Sequence, residues 1–262
     1  MDMNVKAPNE LFSLKNQTAV ITGASSGLGV AFARGLAAAG ANIILAARRS
    51  QPLKQLSLEL AKTGIGVQSV TCDVTREQDV DNMVDVAMEC FGRLDILINN
   101  AGVATVHPAE DEPYEEFRRV METNVNAQFL CAQRCGRIML EAGKGSIVNI
   151  ASMMGLVGIG VIPQAAYNTS KGAMINMTRE LAAQWSKKGV RVNALGPGYF
   201  PSEMTTEMFD NEKSQNFIER RTLLKRAGRP EELIGPLLLL ASEAGSYITG
   251  QTLIVDGGWT AV

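Results

Sequence analysis

Residues 18–40 read TAVITGASSGLGVAFARGLAAAG, and this stretch decides the fold. The apolar, β-prone run TAVI ends in a turn holding Gly23, Gly27 and Gly29, and a helix-forming segment follows at once. Strand, glycine turn and helix start together make a phosphate site. Backbone N–H groups face the anion and the helix dipole favours it. Gly23, Ser25, Ser26, Gly27, Leu28 and Gly29 are therefore candidate cofactor-binding residues. The glycines are spaced four then two apart, unlike the GxGxxG of the commonest dinucleotide fingerprint. Alone, such a turn reads equally well as a tight loop. Its place after the first strand of a repeating βα pattern gives it weight.

That pattern extends along the chain. Apolar, β-rich runs recur near 18–22, 42–47, 67–72, 95–98, 145–150, 190–195 and 252–255. Helix-like segments separate them, among them 52–63, 76–91, 114–140, 165–187 and 230–241. Seven strands alternating with helices predict a parallel sheet covered on both faces. No linker-like composition or repeat divides the 262 residues, so 1–262 reads as a single doubly wound α/β domain. Residues 1–17 form an N-terminal extension in this reading. A chain of this length buries roughly three-quarters of its unfolded surface, enough for a core without metals or disulfides.

Bulk properties narrow the partners. The formal charge is −2 with one histidine and no basic block, which argues against nucleic acid. The longest stretch without a strongly polar residue, MMGLVGIGVI at 153–162, is too short to span a bilayer. The N-terminus MDMNVKAPNE lacks the apolar centre of a signal peptide, so the expectation is a soluble, cytoplasmic protein. Cys72, Cys90, Cys131 and Cys135 show no metal-site spacing and read as buried or half-buried free thiols, with no metal site expected. Two sequons, at Asn168 and Asn176, fall inside a candidate catalytic helix and read as coincidental. His107, in VHPAEDEP, reads as a surface residue.

Tyr167 and Lys171 stand four apart in YNTSK, with Ser152 fifteen residues upstream. Helical spacing puts phenol and ammonium on one face. A phenol of ordinary pKa, about 10, transfers protons sluggishly at neutral pH, and a fixed cation pulls that value down. Ser152 can hold a substrate oxygen beside the phenol. After the second strand the chain reads LAARRS at 45–50. Dinucleotide sheets selective for NAD place an acid there to accept from the ribose 2′-hydroxyl. Here Ala47 fills that slot and Arg48 and Arg49 follow. Without an acid nothing repels a 2′-phosphate, and a guanidinium can bind one bidentately, so NADPH is expected over NADH. Arg49 also reads as a solvated helix start.

In order along the chain, TGASSGLG at 22–29, Asp73, NNAG at 99–102, Asn124, Ser152, YxxxK at 167–171, PG at 197–198 and VDGG at 255–258 resemble the short-chain dehydrogenase/reductase family over about residues 15 to 260. The resemblance implies a Rossmann-like sheet of order 3-2-1-4-5-6-7 and a catalytic set of Asn124, Ser152, Tyr167 and Lys171. It implies that Asp73 and Val74 meet the adenine, Asn100, Ala101 and Gly102 floor the cofactor ribose, and Pro197, Gly198, Phe200 and Ser202 hold the nicotinamide carboxamide. Ser202 stands where relatives have threonine. Ser26 stands where many NADP-dependent relatives carry a second basic residue. Asn99 and Thr22 read as ties between strands, and Asn126 as local. The mechanism so implied passes hydride from NADPH to a carbonyl carbon while Tyr167 protonates the oxygen, Ser152 stabilises it and Lys171 holds the ribose. Asn124 distorts its helix and supports a water relay to Lys171.

Residues 199–222 lack strand character, and in relatives this stretch folds over the substrate. Met204 and Met208 there, with Met154, Ser152 and Tyr167, are the candidate substrate residues. Phe209, Met153, Leu156, Ile159 and Ile162 add apolar surface. An apolar or alicyclic ketone is the expected substrate, with a 3-oxoacyl thioester or a sugar or polyol as alternatives. Leu130 after Phe129 lacks the arginine of many acyl-carrier-protein-docking relatives. A catalytically silent scaffold is the remaining alternative, and none of the four catalytic positions is lost. The resemblance also implies a homotetramer, with Ala173, Met174 and Met177 as candidates for packing between subunits.

Overall fold

The computed structural model describes residues 6–262, apart from the side chains of Met204 and Glu207. A short helix α1 (Pro8–Leu11) precedes a βα alternation: β1 (Thr18–Thr22), α2 (Gly27–Ala38), β2 (Asn42–Ala47), α3 (Ser50–Ala61), β3 (Val67–Thr71), α4 (Glu77–Phe91) and β4 (Ile96–Asn99). After it come α5 (Tyr114–Met121), α6 (Ala127–Glu141), β5 (Gly145–Ile150), α7 (Ala165–Trp185) and β6 (Val190–Pro197). The chain closes with α8 (Thr206–Phe209), α9 (Glu212–Arg221), α10 (Ile234–Ala241) and β7 (Thr252–Val255). The seven strands form one sheet in the order β3-β2-β1-β4-β5-β6-β7, and every pairing is parallel.

Alternation along each strand builds two cores. From β1 and β2, Ala19, Ile21, Ile43 and Leu45 face one side and pack with Phe32 and Leu36 of α2 and Leu237 and Leu240 of α10. Val20 and Ile44 face the other side with Leu97, Ile147 and Val192, against Met83 of α4, Cys131 and Cys135 of α6 and Leu181 of α7. Each fully buried Leu or Ile contributes about 1.5–3 kcal/mol relative to exposure. Both faces are dry, so the central strands read as continuous apolar runs. Cys72, Cys131 and Cys135 are buried, whereas Cys90 is exposed, against the expectation of a buried or half-buried thiol.

Two elements depart from the sequence prediction. The segment 114–140 is not one helix: α5 and α6 are separated by a π-helical turn over Glu122–Asn126. The segment 230–241 opens as a 3₁₀ turn at Pro230–Leu233 before α10; Pro236, in the first turn of α10, has no N–H to give the Glu232 carbonyl. The segment 199–222 lacks strands, as expected, and contains α8 and α9. Their weakly apolar sequence hides them from periodicity.

Candidate active site

Parallel strands leave all their carboxyl ends on one edge, and a cleft of about 850 Å³ opens there. Its lining comes from the ends of six strands: Gly23 and Ser25 to Leu28 after β1, Arg48 after β2, Asp73 and Val74 after β3, Asn100 to Gly102 after β4, Ser152 after β5, and Pro197, Gly198, Phe200 and Ser202 around the end of β6. Gly29 and Asn124 do not line the cleft and act from behind it. The reason for Gly29 is steric. A Cβ there would stand 2.3 Å from the Gly23 carbonyl oxygen. Gly23 has φ +66°, and a Cβ on it would meet Ala101 Cα at 2.9 Å. The turn is pressed against the loop after β4 and leaves its backbone open for a phosphate.

Thr22 and Asn99 tie strands, as expected. Thr22 Oγ1 accepts from the backbone N–H groups of Asn100 and Ala101 at 2.9 and 3.0 Å. Asn99 Nδ2 donates to Asn149 Oδ1 at 3.1 Å and to the Gln128 carbonyl at 2.7 Å. Asn126 bonds locally to Glu122. His107 is half-buried, and its segment bridges to Gln164 just before α7, so it belongs to the site's framework more than to open surface.

The two arginines separate. Arg49 forms a bidentate pair with Glu203 at 2.7 and 2.6 Å and approaches Ser25 Oγ at 3.3 Å. It is therefore an exposed helix start, as expected, and also a clip across the mouth of the cleft. Glu203 is held near pKa 2 mainly by this hydrogen bond, with Ser26 assisting. Arg48 is exposed at the same rim and makes no ion pair among the described residues. Burial opposes ionisation of Asp73, but the Thr75 hydroxyl and amide, with Arg48 and Arg76, hold its pKa below the usual value.

Asn124 is fully buried in the π turn. Its Oδ1 accepts from the Val103 N–H at 2.8 Å, and its Nδ2 donates to the Val103 carbonyl at 2.8 Å and to Ser170 Oγ at 3.0 Å. An extra residue in the helical turn frees the asparagine for this lateral bracing. Lys171 Nζ donates to the Ile150 carbonyl at 2.7 Å and lies 5.5 Å from the Tyr167 ring centroid. Burial lowers the Lys171 pKa to about 8. Tyr167 differs from the sequence expectation. Burial raises its pKa, and the Ser152 hydroxyl acts in the opposite direction. The hydroxyl does not offset burial, and Lys171 gives its hydrogen bond to a backbone carbonyl instead of the phenol.

The side-chain cluster around Tyr167 is aromatic as well as apolar. Met153, Met154 and Trp259 are buried together, with Ile159, Tyr167, Tyr199 and Phe217 packed around them. Met208 is half-buried, and the Met204 side chain lies outside the described residues. Sequence reasoning missed Glu203, Thr205, Tyr199, Phe217 and Trp259. Trp259 arrives through VDGG: the Asp256 carboxylate accepts from the N–H groups of Gly258 and Thr260 at 2.9 and 2.8 Å and pins the turn that carries the indole. Ser202 caps the 3₁₀ turn at Glu203–Thr205, and its hydroxyl lies 3.0 Å from Thr205 Oγ1.

The family model described as enoyl-(acyl carrier protein) reductase matches residues 23–260. A short-chain type dehydrogenase/reductase from Mycobacterium marinum superposes with TM-score 0.93 at 38% identity, covering 97% of this chain and 99% of that one. The chain belongs to the short-chain dehydrogenase/reductase family. Gluconate 5-dehydrogenase of Gluconobacter oxydans is 38% identical to this short-chain dehydrogenase/reductase over 252 residues, 96% of this chain and 97% of that protein. A gluconate 5-dehydrogenase from Burkholderia cenocepacia, in complex with NADP and tartrate, superposes with TM-score 0.93 at 32% identity over 98% of this chain and all of that one. The protein is an oxidoreductase of this family. No helix among the described residues is long and apolar enough to cross a membrane.

Proposed function

We propose that this oxidoreductase interconverts a ketone and a secondary alcohol using NADP(H), and that its substrate is a hydroxylated sugar acid or related polyol. The observation that carries the cofactor assignment is Arg48: a guanidinium without an ion-pair partner among the described residues, at the end of β2, beside Ala47 where an acid would stand. The tight turn at Gly23 and Gly29 fits a pyrophosphate, because a side chain at either position would collide with the backbone of the turn or of Ala101 and force the cradle out of shape. When bound, NADPH supplies the hydride.

The protein's own residues handle the oxygen and its proton. Ser152 donates a hydrogen bond to the carbonyl oxygen and Tyr167 gives that oxygen its proton. Burial keeps the phenol protonated across the neutral range, which suits the donor role in reduction. Lys171, buried against the Ile150 carbonyl, presents its ammonium to the ribose side of the cleft. Asn124 fixes the loop at Val103 and steadies α7 through Ser170. In oxidation Tyr167 accepts the proton as the phenolate, a form that burial disfavours, so the base role calls for higher pH than the acid role.

Likeness to gluconate 5-dehydrogenases supports the sugar-acid reading. An apolar or alicyclic ketone is the second reading, favoured by the cluster of Met153, Met154, Ile159 and Trp259 beside Tyr167. NADPH oxidation against 5-keto-D-gluconate, D-fructose, cyclohexanone and an acetoacetyl thioester separates them. The sugar-acid reading requires the highest kcat/KM with 5-keto-D-gluconate. The cofactor assignment has its own check. A charge-assisted bond to the 2′-phosphate is worth about 1.5–3 kcal/mol, so Arg48→Ala lowers kcat/KM for NADPH roughly 10–100-fold and leaves NADH nearly unchanged. Equal loss with both cofactors would reduce Arg48 to a surface charge.

A further inference from the structure

Two polar groups of the aromatic cluster that includes Tyr167 and Trp259 have no task in the proton transfer. The Tyr199 hydroxyl is buried and has no hydrogen-bond partner among the described residues. Native structures seldom keep a buried hydroxyl unpaired without a reason. Burial pushes Tyr199 up to about 12; the Arg221 charge opposes that rise and Tyr167 adds to it, so the phenol feels both neighbours. It remains a neutral donor at any working pH.

Arg221 is the second group, the last residue of α9. Its guanidinium carbon lies 5.1 Å from the Trp259 ring centroid, and it makes no ion pair among the described residues. By contrast Arg226 and Arg229, a few residues on, are both engaged by Glu232. Tyr199 meets the same indole edge-on at 5.0 Å, and Phe217 does so at 5.3 Å. Trp259 is a common wall, and Tyr167 and Met154 belong to the same cluster. A guanidinium near an indole face and without an ion-pair partner among the described residues can still offer its N–H fork to a planar carboxylate.

We propose that Tyr199 and Arg221 recognise the end of the substrate remote from the reacting carbon, Arg221 pairing with a carboxylate and Tyr199 donating to a neighbouring oxygen. The substrate class is then a hydroxylated keto acid, not a neutral ketose. This assignment rests on the sugar-acid reading above and narrows it. Tyr199 and Arg221 act as specificity residues and take no part in the proton transfer.

Calorimetric titration of the NADPH-loaded enzyme with tartrate, a hydroxylated dicarboxylate, tests the site without requiring turnover. Wild type binds, Arg221→Ala weakens binding about 10–100-fold, Arg221→Lys recovers part of it, and Tyr199→Phe weakens it about 2–10-fold. Thermal melting checks that each variant folds. In steady-state assays, Arg221→Ala raises KM for 5-keto-D-gluconate at least about tenfold more than KM for D-fructose. Absent tartrate binding, binding indifferent to Arg221, or an equal rise in both KM values would overturn the proposal. If the enzyme reduces cyclohexanone but no keto acid, the sugar-acid reading fails by itself. The titration then decides the anion site alone, for it if binding depends on Arg221 and against it otherwise.

Discussion

Tyr167 and Lys171 sit one helical turn apart, yet burial moves their pKa values in opposite directions. A buried phenol resists becoming an anion and a buried ammonium resists staying a cation. Tyr167→Phe removes the only proton that the phenol can give and keeps its ring in the cluster. A loss of about 10²–10⁴-fold in kcat is expected for a rate-limiting chemical step, with NADPH affinity retained. Retention of most of the turnover would refute the acid role. The pH profile follows from Lys171. Its pKa of about 8 means that the ammonium is complete below that value and lost as pH rises through it. For NADPH with the ketone saturating, kcat/KM, which reports the free enzyme, should therefore be flat at neutral pH and fall above about 8. A profile still level near pH 10 would show that the charge on Lys171 is not needed.

At the scale of elements, the decisive piece is the turn between β1 and α2. Gly29 is helical and unremarkable by its own backbone, but a Cβ would stand 2.3 Å from the Gly23 carbonyl. That contact is with backbone, so the turn itself must move. Gly29→Ala is expected to destabilise by about 1–3 kcal/mol, as overpacking does, and to weaken NADPH binding at the same time. A melting curve and a cofactor titration would check both. An unchanged cofactor affinity would detach the turn from the phosphate site. The π turn between α5 and α6 is the other such device. Asparagine mid-helix signalled a defect in the sequence, and the buried contacts of Asn124 with Val103 and Ser170 explain it.

At the scale of the whole molecule, the fold exposes helical faces that a single copy does not cover. Tyr114 of α5 is 73% exposed and Phe129 of α6 is 43% exposed. Met174 does not belong to any such surface: it is fully buried against Ala151, Ile175 and Ala194 within its own subunit. Ala173 and Met177 are half-buried and remain available. The expected assembly is a homotetramer packed through α5, α6 and α7, and through β7 with α10. Light scattering at micromolar concentration checks it, and a monomer would rule it out.

Local signals in the sequence were enough for the sheet, the glycine turn and the Ser152, Tyr167 and Lys171 positions. A parallel strand buried on both faces announces itself by composition, and the turn residues are dictated by the backbone they must adopt. The strand order came only with the family resemblance, because periodicity carries no information about neighbours. Tertiary structure alone decided the rest. Arg49 looked free until Glu203, 154 residues away, was brought against it. The phenol of Tyr167 was expected to acidify beside Lys171, but burial of both reversed the direction. Tyr199, Phe217, Arg221 and Trp259 meet at one indole from three separate segments. Such contacts join residues far apart in the chain, and the dielectric they share exists only once the chain has folded around them.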